Sequence, residues 1–279
     1  MAAQRVTVGD MVFDVDLGGE PADPAVLLLH GFPQNPRCYD AVVPRLHAAG
    51  LRTIVPAQRG YSPGARPAGV QHYAMSHLVG DVIALLDALG VGWAHVVGHD
   101  WGAAVAWQVA ARHPQRVSSL VAASVGHPTA FAAALRSDAE QQEASRYMTL
   151  FAQPEKAEDL LLSDGGARLR AMVATGGQSE EQVRACTDPL LERAALTAAL
   201  NWYRAMAAAD YRDCPRVEVP TTFVWSTGDM ALRRTQAEAT RRYVLGDYRF
   251  VQLEGVTHWI PEQAAAELAS EIALRSSPW

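Results

Sequence analysis

The chain has 279 residues, 49% of them hydrophobic and 19% charged, with a formal net charge of −6. That is ample apolar material for a buried core, too little charge for a disordered chain, and the wrong sign for a surface that reads nucleic acid. Three scattered cysteines, Cys38, Cys186 and Cys214, lack disulfide-framework and metal-ligand spacing, and no apolar run reaches the roughly 20 residues that span a bilayer. No apolar signal core follows Met1, so the chain reads as a cytoplasmic protein without a membrane partner.

In chain order, residues 5–8 and 11–16 predict a hairpin turning at Gly9-Asp10. Residues 25–29 (Ala-Val-Leu-Leu-Leu) and 52–56 are short apolar runs of the kind expected for strands covered on both faces. Residues 75–89 predict a helix, with Leu78, Val82, Leu85, Leu86 and Leu89 at helical spacing and Gly90 as its stop. A strand at 95–97, a helix at 102–112 and a strand at 117–125 follow. This alternation predicts a parallel sheet. From about 128 to 213 no strand pattern occurs, and the segment reads as several helices. Strands resume at 221–226 and 248–253, and 262–274 predicts a closing amphipathic helix. The expected organisation is an α/β core of residues 1–128 and 213–279, interrupted by a helical cap at 129–212.

The chemistry concentrates at His95-Val-Val-Gly98-His99-Asp100-Trp101-Gly102-Ala103. A strand enters a helix through small–x–acid–x–small, the pattern of the nucleophile elbow of α/β-hydrolases with Asp100 where serine usually stands. The helix that follows aims its N–H groups at that side chain, where negative charge is favoured. A carboxylate that attacks an ester would form an anhydride, whereas one that attacks an sp³ carbon forms an ester that water can clear. Epoxides and alkyl halides offer such carbons. The competing reading, that Asp100 only caps the helix, leaves the two flanking glycines unexplained.

Such an elbow needs an acid and a histidine later in the chain, in that order. His258 lies in the loop Gly255-Val-Thr-His-Trp-Ile-Pro261 after the last strand, and Asp229 follows the strand at 221–226. Glu254 reads as a surface charge, and the segment Gly126-His127-Pro128 after residues 117–125 carries no acid. The backbone N–H groups of Trp101 and of Phe32, in His30-Gly-Phe-Pro33, are the expected oxyanion hole. His47, His72, His77, His95, His99, His113 and His127 form no metal pattern and read as structural or solvated. Neither a metal nor a cofactor is expected.

With these pieces in place the sequence resembles the epoxide hydrolase family of the α/β-hydrolase superfamily over nearly its whole length. The resemblance rests on His30-Gly-Phe-Pro33, Gly98-His-Asp-Trp-Gly-Ala103, Gly228-Asp229 and Thr257-His-Trp-Ile-Pro261. Two segments of the insertion add to it, Tyr147-Met-Thr-Leu-Phe151-Ala-Gln-Pro154 and Leu200-Asn-Trp-Tyr203-Arg204. The resemblance implies an α/β-hydrolase fold, a mostly parallel sheet flanked by helices with an inserted helical cap. It implies that Asp100 is the nucleophile, that Asp229 and His258 complete the triad, and that Tyr147 and Tyr203 donate to the epoxide oxygen. It places His30, Pro33, Phe151, Trp202 and Trp259 around the substrate. The partners are then a small-molecule epoxide and water, with the enzyme a monomer or homodimer. One departure is Ala57, in Val55-Pro-Ala-Gln-Arg-Gly60, where relatives usually carry an acid.

Haloalkane dehalogenases are similar at Trp101, but usually have Asn at the position of Phe32 and have no need of the cap tyrosines. Fluoroacetate dehalogenases share His-Gly-Phe-Pro, but typically carry Arg where this chain has Trp101. A non-catalytic ligand-binding relative is a third possibility, which retention of Asp100, Asp229 and His258 argues against. A serine esterase is excluded at the elbow.

Overall fold

Strand side chains alternate between two covers, which is why the strands read as continuous apolar runs. In β3 (Ala25–Leu29), Leu27 and Leu29 join the core beneath α2 (Met75–Ala88) and α3 (Trp101–Arg112). Val26 and Leu28 of the same strand face the opposite core, with residues of α1 (Val43–Ala48) and of the closing helix. All five β3 residues are buried, and each leucine contributes about 2 kcal/mol by leaving water.

This computed structural model describes residues 2–206 and 213–276. The remaining strands are β1 (Ala2–Val8), β2 (Met11–Gly18), β4 (Arg52–Pro56), β5 (Ala94–His99), β6 (Val117–Ala123), β7 (Thr221–Ser226) and β8 (Tyr248–Leu253). They form one eight-stranded sheet in the order β1-β2-β4-β3-β5-β6-β7-β8. Only β1–β2 and β2–β4 pair antiparallel; the other neighbours are parallel. The loops after β3, β5, β7 and β8 therefore open at one edge of the sheet, the carboxyl edge where ligands bind in such folds.

From Pro128 to Ala205 the described elements are all helical: α4 (Pro128–Ser137), α5 (Ala139–Ala144), α6 (Tyr147–Phe151), α7 (Lys156–Val173), α8 (Glu180–Thr187) and α9 (Arg193–Ala205), with short 3-10 turns between. Asp138 caps α5 through the N–H groups of Glu140 and Gln141, and Ser179 and Gln182 form a capping box on α8. A buried Arg204–Glu158 ion pair ties α9 to α7. Several bonds fasten these helices to the core, among them three from side chains near the site. The Trp202 indole donates to the Arg59 carbonyl (2.9 Å), the Asn35 amide to the Ala185 carbonyl (2.7 Å), and the Trp259 indole to Thr175 Oγ1 (2.9 Å). The second expected boundary of the cap, at residue 212, lies outside the described residues.

Three local expectations change. The closing helix divides into α11 (Ile260–Gln263) and α12 (Ala265–Ser276), because Ala264 leaves helical geometry at φ −126°. The Gln263 side chain, in α11, reaches the Gly176 carbonyl in the cap, whereas Leu268 and Ile272 of α12 pack against the sheet. Helices α1 and α10 (Arg234–Ala239) carry no periodic signal in the sequence, since each has only six residues. The Ala57 loop holds without an acid. Its N–H bonds the Asp14 carbonyl, Ser62 Oγ donates to its carbonyl, and the next residue, Gln58, bonds His30. No helix among the described residues is long and apolar enough to cross a membrane.

Candidate active site

β5 ends at His99 and α3 begins at Trp101, so Asp100 alone makes the turn. Its backbone sits at φ 52°, ψ −122°, a conformation that a side-chain-bearing residue keeps only where its surroundings impose it. A Cβ on Gly98 would stand 2.2 Å from the Gly102 carbonyl oxygen, and one on Gly102 would stand 2.0 Å from that of Leu29. Both positions therefore require glycine. Gly31 is bare for a related reason, because a Cβ there would lie 2.3 Å from Asp100 Oδ1. The loop after β3 thus comes close enough for the Phe32 N–H to donate to Asp100 Oδ1 at 2.8 Å. The Trp101 N–H also donates to this carboxylate.

His258 brings Nε2 to 3.5 Å from Asp100 Oδ2, and its Nδ1 lies 2.9 Å from Asp229 Oδ2. Asp229 is fixed in turn by the N–H groups of Ala231 (2.8 Å) and Leu232 (3.0 Å), which donate to its Oδ1. All three side chains are buried. Burial opposes charge on His258, but the Asp229 carboxylate and the hydrogen bonds and charge of Asp100 outweigh it, and its pKa is pushed up to about 10. Burial likewise opposes ionisation of the two acids. His258, with backbone N–H donors, holds both carboxyls below their usual range.

Tyr203 of α9 is buried in an aromatic cluster, its ring centroid 5.1 Å from Trp101, 5.4 Å from Phe32 and 5.0 Å from Phe151. Tyr147 of α6 lies 6.1 Å from it, ring to ring, and is half-buried. Burial, the Tyr147 phenol and the Asp100 charge hold Tyr203 well above the usual phenol range, so it keeps its proton. The indole of Trp101 hydrogen-bonds the Tyr203 hydroxyl.

A cavity of about 610 Å³ lies where the cap meets the core, reaching Asp100, His258, Tyr147 and Tyr203. Phe32, Leu150, Phe151, Leu160, Leu161, Met172 and Trp259 make its walls largely apolar. Of the five side chains expected around a substrate, Phe151 and Trp259 line this cavity. The other three do not. His30 is fully buried, packs edge-on against Tyr61 and accepts the Gln58 N–H, and Pro33 is buried away from the cavity. Trp202 turns toward Tyr61 and donates to the Arg59 carbonyl, because helical spacing points it away from its neighbour Tyr203.

The α/β-hydrolase fold family matches residues 24–265. The chain belongs to this family. It is 30% identical to the AB hydrolase superfamily protein YfhM of Bacillus subtilis, over 94% of this chain and 93% of that protein. It is 29% identical to Epoxide hydrolase A of Mycobacterium tuberculosis, over 91% and 90%. The crystal structure of Epoxide Hydrolase A from Mycobacterium thermoresistibile matches with a TM-score of 0.86 at 25% identity, over 99% of this chain and 98% of that one.

The sequence reading passed over three residues near the site. His99, read there as structural or solvated, lies with its Nε2 2.8 Å from the His258 carbonyl and its Nδ1 2.8 Å from Gln34 Oε1. The Gln34 amide continues to Glu262 Oε1 at 2.5 Å. A signal was available. Gln34 directly follows His30-Gly-Phe-Pro33, and Glu262 directly follows Thr257-His-Trp-Ile-Pro261.

Proposed function

We propose that this protein is an epoxide hydrolase that forms a vicinal diol through an ester on Asp100. The observation that carries the reading is the elbow carboxylate, held by backbone N–H donors, facing a His258–Asp229 pair and sharing one cavity with two cap phenols. In the first step Asp100 Oδ2 attacks a ring carbon. The ring C–O bond breaks, and the departing oxygen takes a proton or strong hydrogen bond from Tyr147 and Tyr203. Oδ1, already bonded by the Phe32 N–H, becomes the ester carbonyl oxygen and lies in its oxyanion hole. In the second step His258, oriented by Asp229, takes a proton from water as its oxygen adds to the ester carbon. As the intermediate collapses, the departing oxygen takes that proton back from His258, which releases the diol and leaves one water-derived oxygen on Asp100.

Halide release fits less well. A departing halide needs no proton, whereas two cap phenols, Tyr147 and Tyr203, share the cavity with Asp100. The apolar walls suit an epoxide bearing a hydrocarbon substituent, and the volume lies within the range of small-molecule sites. Under this reading the partners are the epoxide and water, with no metal or cofactor in the reaction. The free, buried cysteines Cys38, Cys186 and Cys214 suit a reducing cytoplasm, where the enzyme works as a monomer or homodimer.

The test separates the half-reactions. His258→Gln, mixed with an epoxide that wild type turns over, should gain the mass of one substrate, mapped to Asp100, while Asp100→Ala gains nothing. An unmodified His258→Gln beside an active wild type refutes the ester mechanism.

A further inference from the structure

Behind the base, three side chains and one backbone carbonyl, from four different loops and elements, form one hydrogen-bonded line. Glu262 (α11) meets Gln34 (the loop after β3), Gln34 meets His99 (the end of β5), and His99 meets the backbone carbonyl of His258. The positions of the protons on this line follow from counting donors and acceptors. A carbonyl oxygen only accepts. The His258 carbonyl already receives the Ile260 N–H (2.9 Å) and Ser124 Oγ (3.2 Å), so His99 Nε2 must carry a hydrogen to bond it. A neutral His99 then has a bare lone pair at Nδ1, and Gln34 must turn its NH₂ toward it. An amide presents one donor end and one acceptor end, and a half-turn exchanges them over the same atom positions. The remaining end, the Gln34 carbonyl, faces Glu262 Oε1, and two acceptors bond only if a proton lies between them.

The alternative protonation charges the line at both ends, with an imidazolium at His99 and a carboxylate at Glu262. His99 is fully buried, and its ring centroid lies 4.9 Å from that of His258. Burial first, and the charge of His258 next, lower its pKa to about 4, so a second imidazolium there is disfavoured. Glu262 favours the neutral form independently, because its Oε2 is buried with no hydrogen-bond partner. An unpartnered buried oxygen costs far less on a neutral acid than on a carboxylate. The groups facing Glu262 are Gln34, the thiols of Cys38 and Cys186, the phenol of Tyr39 and, beyond Gln34, His258. The thiols and the phenol are raised by burial and stay neutral. Burial raises the Glu262 carboxyl as well, to about 7 against the weaker pull of Gln34, its own backbone N–H and the charge of His258.

We propose that Glu262 holds a proton and, through Gln34, fixes His99 in the tautomer that anchors the backbone of His258. Glu262, Gln34 and His99 are thus positioning residues for the base. The proposal rests on the reading of His258 as the base of ester hydrolysis. When Glu262 loses its proton, the Gln34 amide turns over, a lone pair of His99 faces the His258 carbonyl, and the base loses its anchor.

The first experiment needs no substrate. Infrared spectra of the full chain across a pH titration should show a protonated-carboxyl band that vanishes with a midpoint near 7. Glu262→Gln, whose NH₂ can give Gln34 the same hydrogen bond, should lack that band. Ring-nitrogen NMR should find His99 protonated at Nε2 only, below that midpoint. No such band in wild type, a band that survives in Glu262→Gln, or a His99 protonated at Nδ1 below the midpoint overturns the proposal. The second experiment follows single-turnover decay of the Asp100 ester. Deprotonation of His258 raises this rate in both proteins, so the ratio of the wild-type rate to that of Glu262→Gln should fall as pH rises through the Glu262 titration. Glu262→Ala should slow ester hydrolysis roughly tenfold, and more than it slows alkylation. A ratio that stays flat across that titration overturns the positioning role even if Glu262→Ala does not fold. A wild type that opens no epoxide defeats the functional reading alone, and the spectroscopic outcomes still decide the protonation of Glu262.

Discussion

Replacing Asp100 by Asn removes one of the two charges that surround His258 and so mimics the neutral ester. The lost interaction can be sized from the structure. At the 3.5 Å between His258 Nε2 and Asp100 Oδ2, two unit charges at an effective dielectric of about 20 interact by about 5 kcal/mol. At about 1.4 kcal/mol per pKa unit this is about 3 units. Wild-type His258, at about 10, is an imidazolium at neutral pH, and Asp100→Asn should bring it down to about 7. Asp229 remains 2.9 Å away and keeps it from falling further. The measurement is an NMR titration of the His258 ring nitrogens in both proteins. A variant whose His258 titrates within about one unit of wild type means that the Asp100 charge does not govern the base, and that alkylation cannot release it.

The remaining predictions concern the cap, the elbow and the buried acid. Tyr147→Phe and Tyr203→Phe should each slow alkylation by about a hundredfold, with the double variant nearly inactive on epoxides in a stopped-flow or diol assay; unchanged turnover in the double variant removes the phenols from the mechanism. Gly98→Ala should cost more than about 3 kcal/mol, since its Cβ would lie 2.2 Å from the Gly102 oxygen, and urea unfolding at the wild-type value would show that the elbow relaxes. Glu262 has a folded-state pKa raised from 4.5 to about 7, so the folded state binds the extra proton and wild type loses stability as pH rises through that window. The difference amounts to about 3 kcal/mol, and Glu262→Gln should remove it. Urea unfolding above and below the window checks the sign, and an equal pH slope in both proteins contradicts it.

The sequence was most legible where a local constraint acts. Gly98 and Gly102 are needed because a turn of one residue brings backbone against backbone, and that crowding involves only neighbours in the chain and the adjacent strand. The strands were legible because burial on both faces leaves uninterrupted apolar runs, as in Ala25–Leu29. The order nucleophile, acid, histidine follows from each residue standing after its own strand. Side-chain direction was less legible. Trp202 and Tyr203 are adjacent in the chain, yet helix α9 points them to different surroundings. His30 lies in a recognised motif, but its ring serves the Gln58 loop rather than the cavity. The line from Glu262 to His99 was not legible, because it joins positions 34, 99 and 262 and exists only when the loops after β3, β5 and β8 meet.

The same geometry explains why a carboxylate suits this triad where serine would not. A serine hydroxyl must lose its proton as it attacks, so its histidine has to be neutral from the outset. In the proposed mechanism Asp100 attacks already ionised and asks nothing of His258, which remains an imidazolium between two acids. Once Asp100 is an ester, its charge is gone, and His258 keeps only the Asp229 partner at 2.9 Å. The step that creates the need for a base also removes the charge that held its proton. A serine at position 100 would take away that charge in the free enzyme, and with it the difference in His258 protonation between the two half-reactions.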